Sequence, residues 1–547
     1  MTLVSRILGL LANLPTPTTP DVSVARDLPA QMEDGVVLLA DRWHPTELIC
    51  GSTPLIVLRT PYGRRQWAGM IGRLLAERGY QVLVQSCRGT FGSGGDWVPF
   101  RHEETDGRAT LEWISEQSWF PGELATFGPS YLGLTQWAVA RDAPGYLRAM
   151  ALDVTASNFR QAVVYPFGSF AMGTSLAWLR LLEFQEQGAW GSLRAQRDSR
   201  RALMEAAKVL PASDADVVAV GRHVPFFQDW LTHENPNDGW WEPVDFGRHL
   251  GSLPPTSLVG GWYDIFLPSQ LDDYRALRAA NRETRLTVGP WSHASPGVIA
   301  ASLRDGVDWF GLHLGDGSGP DQRARVRVFV MGKRRWVGLP DWPPPADDQL
   351  WYLGGKGTLK RTVPDDSPPD RYRYDPADPT PAVGGASLDW SDAGPKDQRR
   401  REIRPDVLTY TSDFLPENLT VMGPLTAELH VRSSLDWCDF FVRLCDVSPR
   451  GRSRNVSDGI VRLRPGAITR SADESVSVRI SMWSTANTFV RGHRIRLQVS
   501  SGAHPLFMRN TGTGEPLRTA SRLCAADQEV LHDAEHPSVL RLPVPRL

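Results

Sequence analysis

With 547 residues the chain exceeds what one hydrophobic core organises, so two to four domains are expected. Its 41% apolar and 22% charged content is that of an ordinary globular protein, and a net charge of −2 without a basic stripe argues against a nucleic-acid partner. Five scattered cysteines (Cys50, Cys87, Cys438, Cys445, Cys524) with no C-x-x-C argue against a disulfide framework or a structural zinc site, and the 20 tryptophans suit large buried surfaces or aromatic-lined clefts.

The first stretch, "MTLVSRILGLLANLPTPTTPD", has a short apolar patch, one arginine and no small-residue cleavage site before its prolines. It makes a poor secretory signal and is too short to span a membrane, so it reads as a frayed amphipathic helix on a cytoplasmic protein. From 24 to 153, short apolar runs alternate with helical periodicity. "PLIVLRT" (54–60), "YQVLVQS" (80–86), "LATFG" (124–128) and "LRAMALDV" (147–154) read as buried strands. One helix carries Trp67, Met70, Ile71, Leu74 and Leu75 on a single face, and another spans Ser130 to Arg141. Strand, helix, strand at this spacing predicts a parallel, doubly wound α/β sheet.

Residues 154–250 lose the strand runs and become helical and aromatic-rich, as in "FAMGTSLAWLRLLEFQEQGAW" and "VPFFQDWLTHENPNDGWW". Over 251–320 the alternation returns with "TSLVGGWYD" (256–264), a helix over Leu271–Ala280, and "TRLTVGPWSH" (284–293). A helical block inserted before the last strands of such a sheet is the form of a cap. From 321 to 547 period-2 strands such as "ARVRVFVMG", "LTAELHVRS", "DFFVRLCDV", "SVSVRISMW" and "HRIRLQVSS" predict a C-terminal antiparallel β-sandwich.

In "FGPSYLGLTQWAV" (127–139), Ser130 follows a predicted strand and opens a helix, the setting of a nucleophile elbow. The motif departs from G-x-S-x-G, since Leu132 takes the last glycine's place and Gly133 comes one later. Taken alone, a serine there is better explained as a helix N-cap. A nucleophile needs a base and the base an orienting acid. Asp264, closing "LVGGWYD", and His293, closing "LTVGPWSH", supply both at strand ends and in the order Ser, acid, His.

With these residues in place, "RTPYGRR" (59–65), "RGTFGSGGD" (88–96), "EWISEQSWFPGELATFGPSYLG" (112–133), "GWYDIF" (261–266) and "GPWSH" (289–293) resemble the signatures of the cocaine esterase/X-Pro dipeptidyl-peptidase family. "MGPLTAELHVRSS" and "FVRGHRIRLQVSS" resemble that family's C-terminal jelly roll. The resemblance implies an α/β-hydrolase domain, a helical cap and a jelly roll. It implies Ser130 as nucleophile, Asp264 as acid and His293 as base. The oxyanion hole it implies is the Tyr62 hydroxyl with the Tyr131 N–H, and it calls for no cofactor and no metal. One departure is "QSCRG", with Ser86 and Cys87 where many relatives carry an aspartate before the "RG". A small-molecule ester is the expected substrate, with Trp262, Phe266, Leu267 and His233 as candidate pocket residues. A peptidase or amide acylase of the same family and a catalytically silent binding protein are the alternatives. A homo-oligomer is left open.

Other motifs are set aside. "RGTFGSGG" lacks the G-K-[ST] ending of a phosphate loop. "HDAEH" (532–536) satisfies H-x-x-E-H, but Pro537 and a β-like run follow it directly, whereas a zinc peptidase needs a helix there. "NLT" (418–420) and "NVS" (455–457) would matter only in a secreted chain.

Overall fold

The structure, a computed structural model, describes residues 3–47, 53–186, 193–314, 323–389, 391–466 and 469–546. Cys50, the end of the helical run at 187–190 and the expected boundary near 320 lie outside the described residues. Two compact units are present: Met1–Phe159 with Gly239–Gly261 and Phe266–Val326, and Arg160–Asp238 with Trp262–Ile265 and Arg327–Leu547.

The first unit is built on β1 (Val22–Gln31), β2 (Val37–Pro45), β3 (Leu55–Thr60), β4 (Gln81–Ser86), β5 (Leu124–Pro129), β6 (Leu147–Asp153), β7 (Thr256–Tyr263, of which Trp262 and Tyr263 count with the second unit) and β8 (Thr284–Ser292), in the order β1-β2-β4-β3-β5-β6-β7-β8. β1, β2 and β4 pair antiparallel; β4, β3, β5, β6 and β7 pair parallel. Every residue of β3, β4 and β7 is buried, as a sheet covered on both faces requires, which is why their apolar stretches do not alternate with exposed polar positions. The chain passes from β3 to β4 on one side and returns to place β5 on the other. The crevice beyond the carboxyl ends of β3 and β5 is therefore the topological switch point, where open α/β sheets bind ligands.

Three helices differ from the sequence reading. α1 (Leu3–Leu11) is not frayed: Ser5 is buried, its Oγ donates to Glu77 Oε1 at 2.9 Å, and Arg304 donates to the carbonyl of Ala12 just beyond the helix at 2.8–2.9 Å. After α2 (Trp67–Ala76) and α3 (Glu103–Ser115), α4 spans only Tyr131–Trp137. The bonds Val139 N–H to Gln136 O and Ala140 N–H to Trp137 O tighten its exit into i→i+3 turns. The helix expected from Leu271 begins at Leu267, because Pro268 suits a helix's first turn.

In the second unit, α5 (Met172–Glu186), α6 (Leu193–Ala206), α7 (Ala215–Val220) and α8 (Pro225–Thr232) form the helical block. Its core includes Trp178 stacked on Trp230 at 5.7 Å. α9 (Leu267–Ala279) and α10 (Pro296–His313) belong to the first unit.

After β9 (Val326–Val330) and β10 (Arg335–Leu339), an eleven-stranded, mainly antiparallel sheet is formed. Its strands are β11 (Ala346–Gly354), β12 (Thr358–Lys360), β13 (Asp370–Tyr374), β14 (Leu408–Thr411), β15 (Leu419–Ser433), β16 (Cys438–Val447), β17 (Ser453–Leu463), β18 (Val476–Phe489), β19 (Arg494–Ser500), β20 (Ala526–Leu531) and β21 (Val539–Pro545). The period-2 pattern is realised in β18, where buried and exposed residues alternate over its first half. The expected "ARVRVFVMG" strand exists as β9 but stands outside this eleven-stranded sheet and neighbours β10. Its alternation was legible in sequence, but its pairing partner was not. No helix among the described residues is long and apolar enough to cross a membrane.

Candidate active site

Ser130 lies between β5 and α4 with φ 59° and ψ −122°, a conformation that non-glycine residues occupy only under constraint. Its side chain makes no capping hydrogen bond, so the N-cap reading does not account for it. The turn is enforced from both sides. A Cβ on Gly128 would fall 2.3 Å from Leu132 Cβ, and one on Gly133 would fall 2.4 Å from Thr155 Cγ2. This explains the altered motif. Leu132 packs over Gly128, and the position that tolerates no side chain against β6's exit has moved to Gly133. The Ser130 N–H donates to the Asp153 carbonyl at 2.9 Å, tying the turn to the end of β6.

His293 follows β8 directly, and its Nε2 lies 3.0 Å from Ser130 Oγ. For Nε2 to accept from Oγ, the imidazole proton must sit on Nδ1. Phe266 stacks on the imidazole, ring centroids 5.5 Å apart and 29° between planes. Asp264 follows β7 directly and is fully buried.

Tyr62 follows β3 through Pro61, and its N–H donates to Thr60 Oγ1 at 3.0 Å, which with the proline's fixed φ sets the turn. Its ring meets Tyr131 edge-on, 6.0 Å between centroids. Tyr62 and Tyr131 thus share the β3/β5 switch point with Ser130.

Behind Tyr131 lies a buried polar cluster that sequence reasoning missed. The Tyr131 hydroxyl donates to Glu103 Oε1 at 2.8 Å and accepts from the Phe100 N–H at 3.2 Å. Its ring stacks on Phe100 at 4.1 Å. Glu103 opens α3, where a carboxylate also favours the positive end of the helix dipole. Its Oε2 lies 2.9 Å from Arg59 Nη2 and 3.8 Å from the Cys87 sulfur. Arg59 also donates to Gln85 Oε1 and to the Glu103 carbonyl, each at 3.0 Å. Burial, then the Glu103 charge, pushes both the Tyr131 phenol and the Cys87 thiol well above their ordinary ranges, so both stay protonated donors. The Ser86–Cys87 departure is thereby explained locally. Cys87 serves the carboxylate of Glu103, and Ser86 Oγ accepts from Arg64 Nη1 at 3.1 Å. The available signal was an arginine at the end of a buried strand, which requires a carboxylate somewhere in the chain.

The family model described as X-Pro dipeptidyl-peptidase (S15 family) matches residues 34–295, and that for the X-Pro dipeptidyl-peptidase C-terminal non-catalytic domain matches 318–541. The chain is 34% identical to the cocaine esterase of Rhodococcus sp. (strain MB1 Bresler), over 95% of this chain and 98% of that one. The chain belongs to the cocaine esterase/X-Pro dipeptidyl-peptidase family. The protein is accordingly a serine hydrolase. Two solved structures share the fold of this family member. An aminopeptidase from the marine sediment archaeon Thaumarchaeota archaeon superposes with a TM-score of 0.80 at 23% identity, covering 97% of this chain and 98% of that one. An α-amino acid ester hydrolase superposes with a TM-score of 0.81 at 22% identity, with the same coverage.

The remaining candidates of this cocaine esterase relative fall as follows. Leu267 is fully buried beneath β7, 3.5 Å from where a Cβ on Gly260 would sit. Trp262 is buried, its indole donating to the Phe329 carbonyl at 2.7 Å and packing on Trp342. His233 ends α8 and holds Asp238 at 2.6 Å. In "RGTFGSGG", Arg88 bridges Asp106 and Asp34, and Gly95 leaves the room its side chain fills. "HDAEH" is a run of bends. His532 meets Ser367 and Asp370, while His536 meets Asp533 and Asp473. Asn455 of "NVS" is buried within β17, out of reach of a glycan.

Proposed function

We propose that the protein hydrolyses carboxylic esters of small molecules through an acyl-enzyme on Ser130. The observation that carries this is the 3.0 Å contact between His293 Nε2 and the Oγ of a serine held in a strained strand-to-helix turn. His293 takes the Ser130 proton as Oγ attacks the carbonyl carbon, and Asp264 fixes the Nδ1–H tautomer and stabilises the imidazolium. The Tyr62 hydroxyl and the Tyr131 N–H donate to the oxyanion of the tetrahedral intermediate. His293 returns the proton to the leaving alcohol, then activates water to release the acid. Phe266, flat against His293, forms an apolar wall for the acyl group. No step calls for a cofactor or a metal.

The test is mass-spectrometric mapping of a fluorophosphonate adduct. Ser130 is expected to carry it, and an adduct on another serine overturns the assignment. The S15 peptidase model matched over 34–295 favours a second reading, cleavage of an amide. A panel of acyl-nitrophenyl esters beside aminoacyl-prolyl amides separates the two.

A further inference from the structure

The second unit lines a partly open cavity of about 50 Å³ beside the end of α8 and the segments after β17 and β19. Its walls include Glu234, Trp437, Arg462, Arg464, Arg509 and Glu515. Arg462 is matched by Asp439, to which its Nε and Nη2 donate at 2.9 and 2.8 Å. Arg464 lies 3.6 Å from Glu234. Glu515 is taken up by Arg522 Nε at 2.6 Å and by the N–H groups of Ser521 and Arg522. Arg509 has no carboxylate. It is 8% exposed, its Nη1 and Nη2 donate only to the carbonyls of Pro376 (3.1 Å) and Lys208 (2.5 Å), and its Nε makes no hydrogen bond. Among these groups four guanidiniums (Arg462, Arg464, Arg509 and Arg522) meet three carboxylates (Asp439, Glu234 and Glu515), and Arg509 is the one left without a counter-charge. A buried, unpaired ion is costly, and an anion in the adjoining cavity removes that cost. Next to Arg509, His504 is held down to about 4, by burial first and by the Arg509 charge second. A proton on His504 therefore adds to the surplus rather than relieving it.

We propose that this cavity binds a small oxyanion, a carboxylate or inorganic phosphate, on Arg509 and Arg464. Each Nη of Arg509 keeps one N–H beyond its carbonyl bond, so two oxygens of either anion can be met there, which a spherical halide cannot exploit. A cavity of about 50 Å³ has room for a few waters and so for an acetate or a phosphate. The competing account is that Arg509 only fastens the Lys208 and Pro376 carbonyls.

The experiment is thermal unfolding of the full chain at fixed pH and ionic strength, with sodium chloride replaced stepwise by sodium phosphate or sodium acetate. One of the two anions is expected to raise Tm with the logarithm of its concentration, by roughly 2 °C near ten times its Kd, and the responding arm identifies it. Arg509→Met is expected to abolish that rise and Arg464→Met to weaken it. A general salting-out effect of phosphate grows in proportion to its concentration and survives both substitutions. If Arg509→Met lowers Tm equally in every salt and keeps the anion response, the fastening account is right and the proposal fails. If neither anion exceeds chloride in the wild-type protein, it fails outright. Should Arg509→Met not fold, Arg464→Met together with calorimetric titration of phosphate and acetate into the wild-type chain decides.

Discussion

Replacing Glu103 tests how the first unit holds the turn that carries Ser130. Arg59 and Glu103 are 5% and 6% exposed at their side chains and 2.9 Å apart, so removing the carboxylate leaves a guanidinium buried without its charge partner. Breaking such a pair from one side costs about 3–5 kcal/mol. Glu103→Gln keeps an acceptor for the Tyr131 hydroxyl, so a loss near the lower end, about 3 kcal/mol, is expected. Glu103→Ala also strands the Tyr131 hydroxyl proton and opens a void, so about 5 kcal/mol is expected. Tyr131 directly follows Ser130, and misplacing a catalytic group by about 1 Å can cost roughly a hundredfold in rate. We therefore expect kcat to fall 10- to 100-fold in Glu103→Gln, with KM within about threefold. The assays are urea unfolding followed by fluorescence, and steady-state hydrolysis of a nitrophenyl ester. Replacing both partners, Arg59→Met with Glu103→Leu, is expected to recover most of the stability but not the rate, because an apolar pair removes the unpaired charge without restoring the anchor on Tyr131. Wild-type stability in Glu103→Gln, or lost stability with unchanged kcat, would refute the reasoning.

Tyr62→Phe should lower kcat by about 10²–10³ with a much smaller change in KM, as for one lost oxyanion donor; a folded variant with near-wild-type kcat removes Tyr62 from that role. Esters whose acyl group lacks a free α-amine should be preferred. Phe266 and Leu267, the second and third residues after Asp264, offer no charge to an ammonium, so phenylacetyl should exceed phenylglycyl esters in kcat/KM, and the reverse order would reveal an ammonium site. His504, its pKa depressed from 6.5 to about 4 chiefly by burial, folds in its neutral form. The stability this lends is present above pH 6.5 and is lost as pH falls towards 4, by about 2–3 kcal/mol at pH 4.5. Urea midpoints at pH 7 and 4.5 should therefore differ less in His504→Gln than in the wild-type chain, and equal pH dependence in the two would remove His504 as the cause.

What could be read from the amino-acid order was what local periodicity and residue type encode. The short apolar runs within Leu55–Thr60 and Gln81–Ser86 announced strands buried on both faces, because only a sheet covered by helices lets a strand dispense with alternation. The glycines around Ser130 announced a constrained turn, and the positions of Asp264 and His293 at strand ends announced a candidate site. What periodicity cannot encode is which distant residue meets which. Tyr131, Glu103, Arg59 and Cys87 stand on three different elements and a loop, and become one cluster only because β5 lies beside β3, with α3 returning across their ends. Likewise the apolar beginning of the chain became a packed helix only because Glu77, more than seventy residues on, accepts from Ser5. The strand at Val326–Val330 looked like its successors, yet its neighbour is set by the order of strands in space, not by its own alternation. The surplus charge at Arg509 is of the same kind. Arginines and carboxylates were countable in sequence, but only the fold gave Asp439 to Arg462 and left the Arg509 guanidinium with carbonyls alone, because Coulomb energies depend on separations and burial that chain order does not contain.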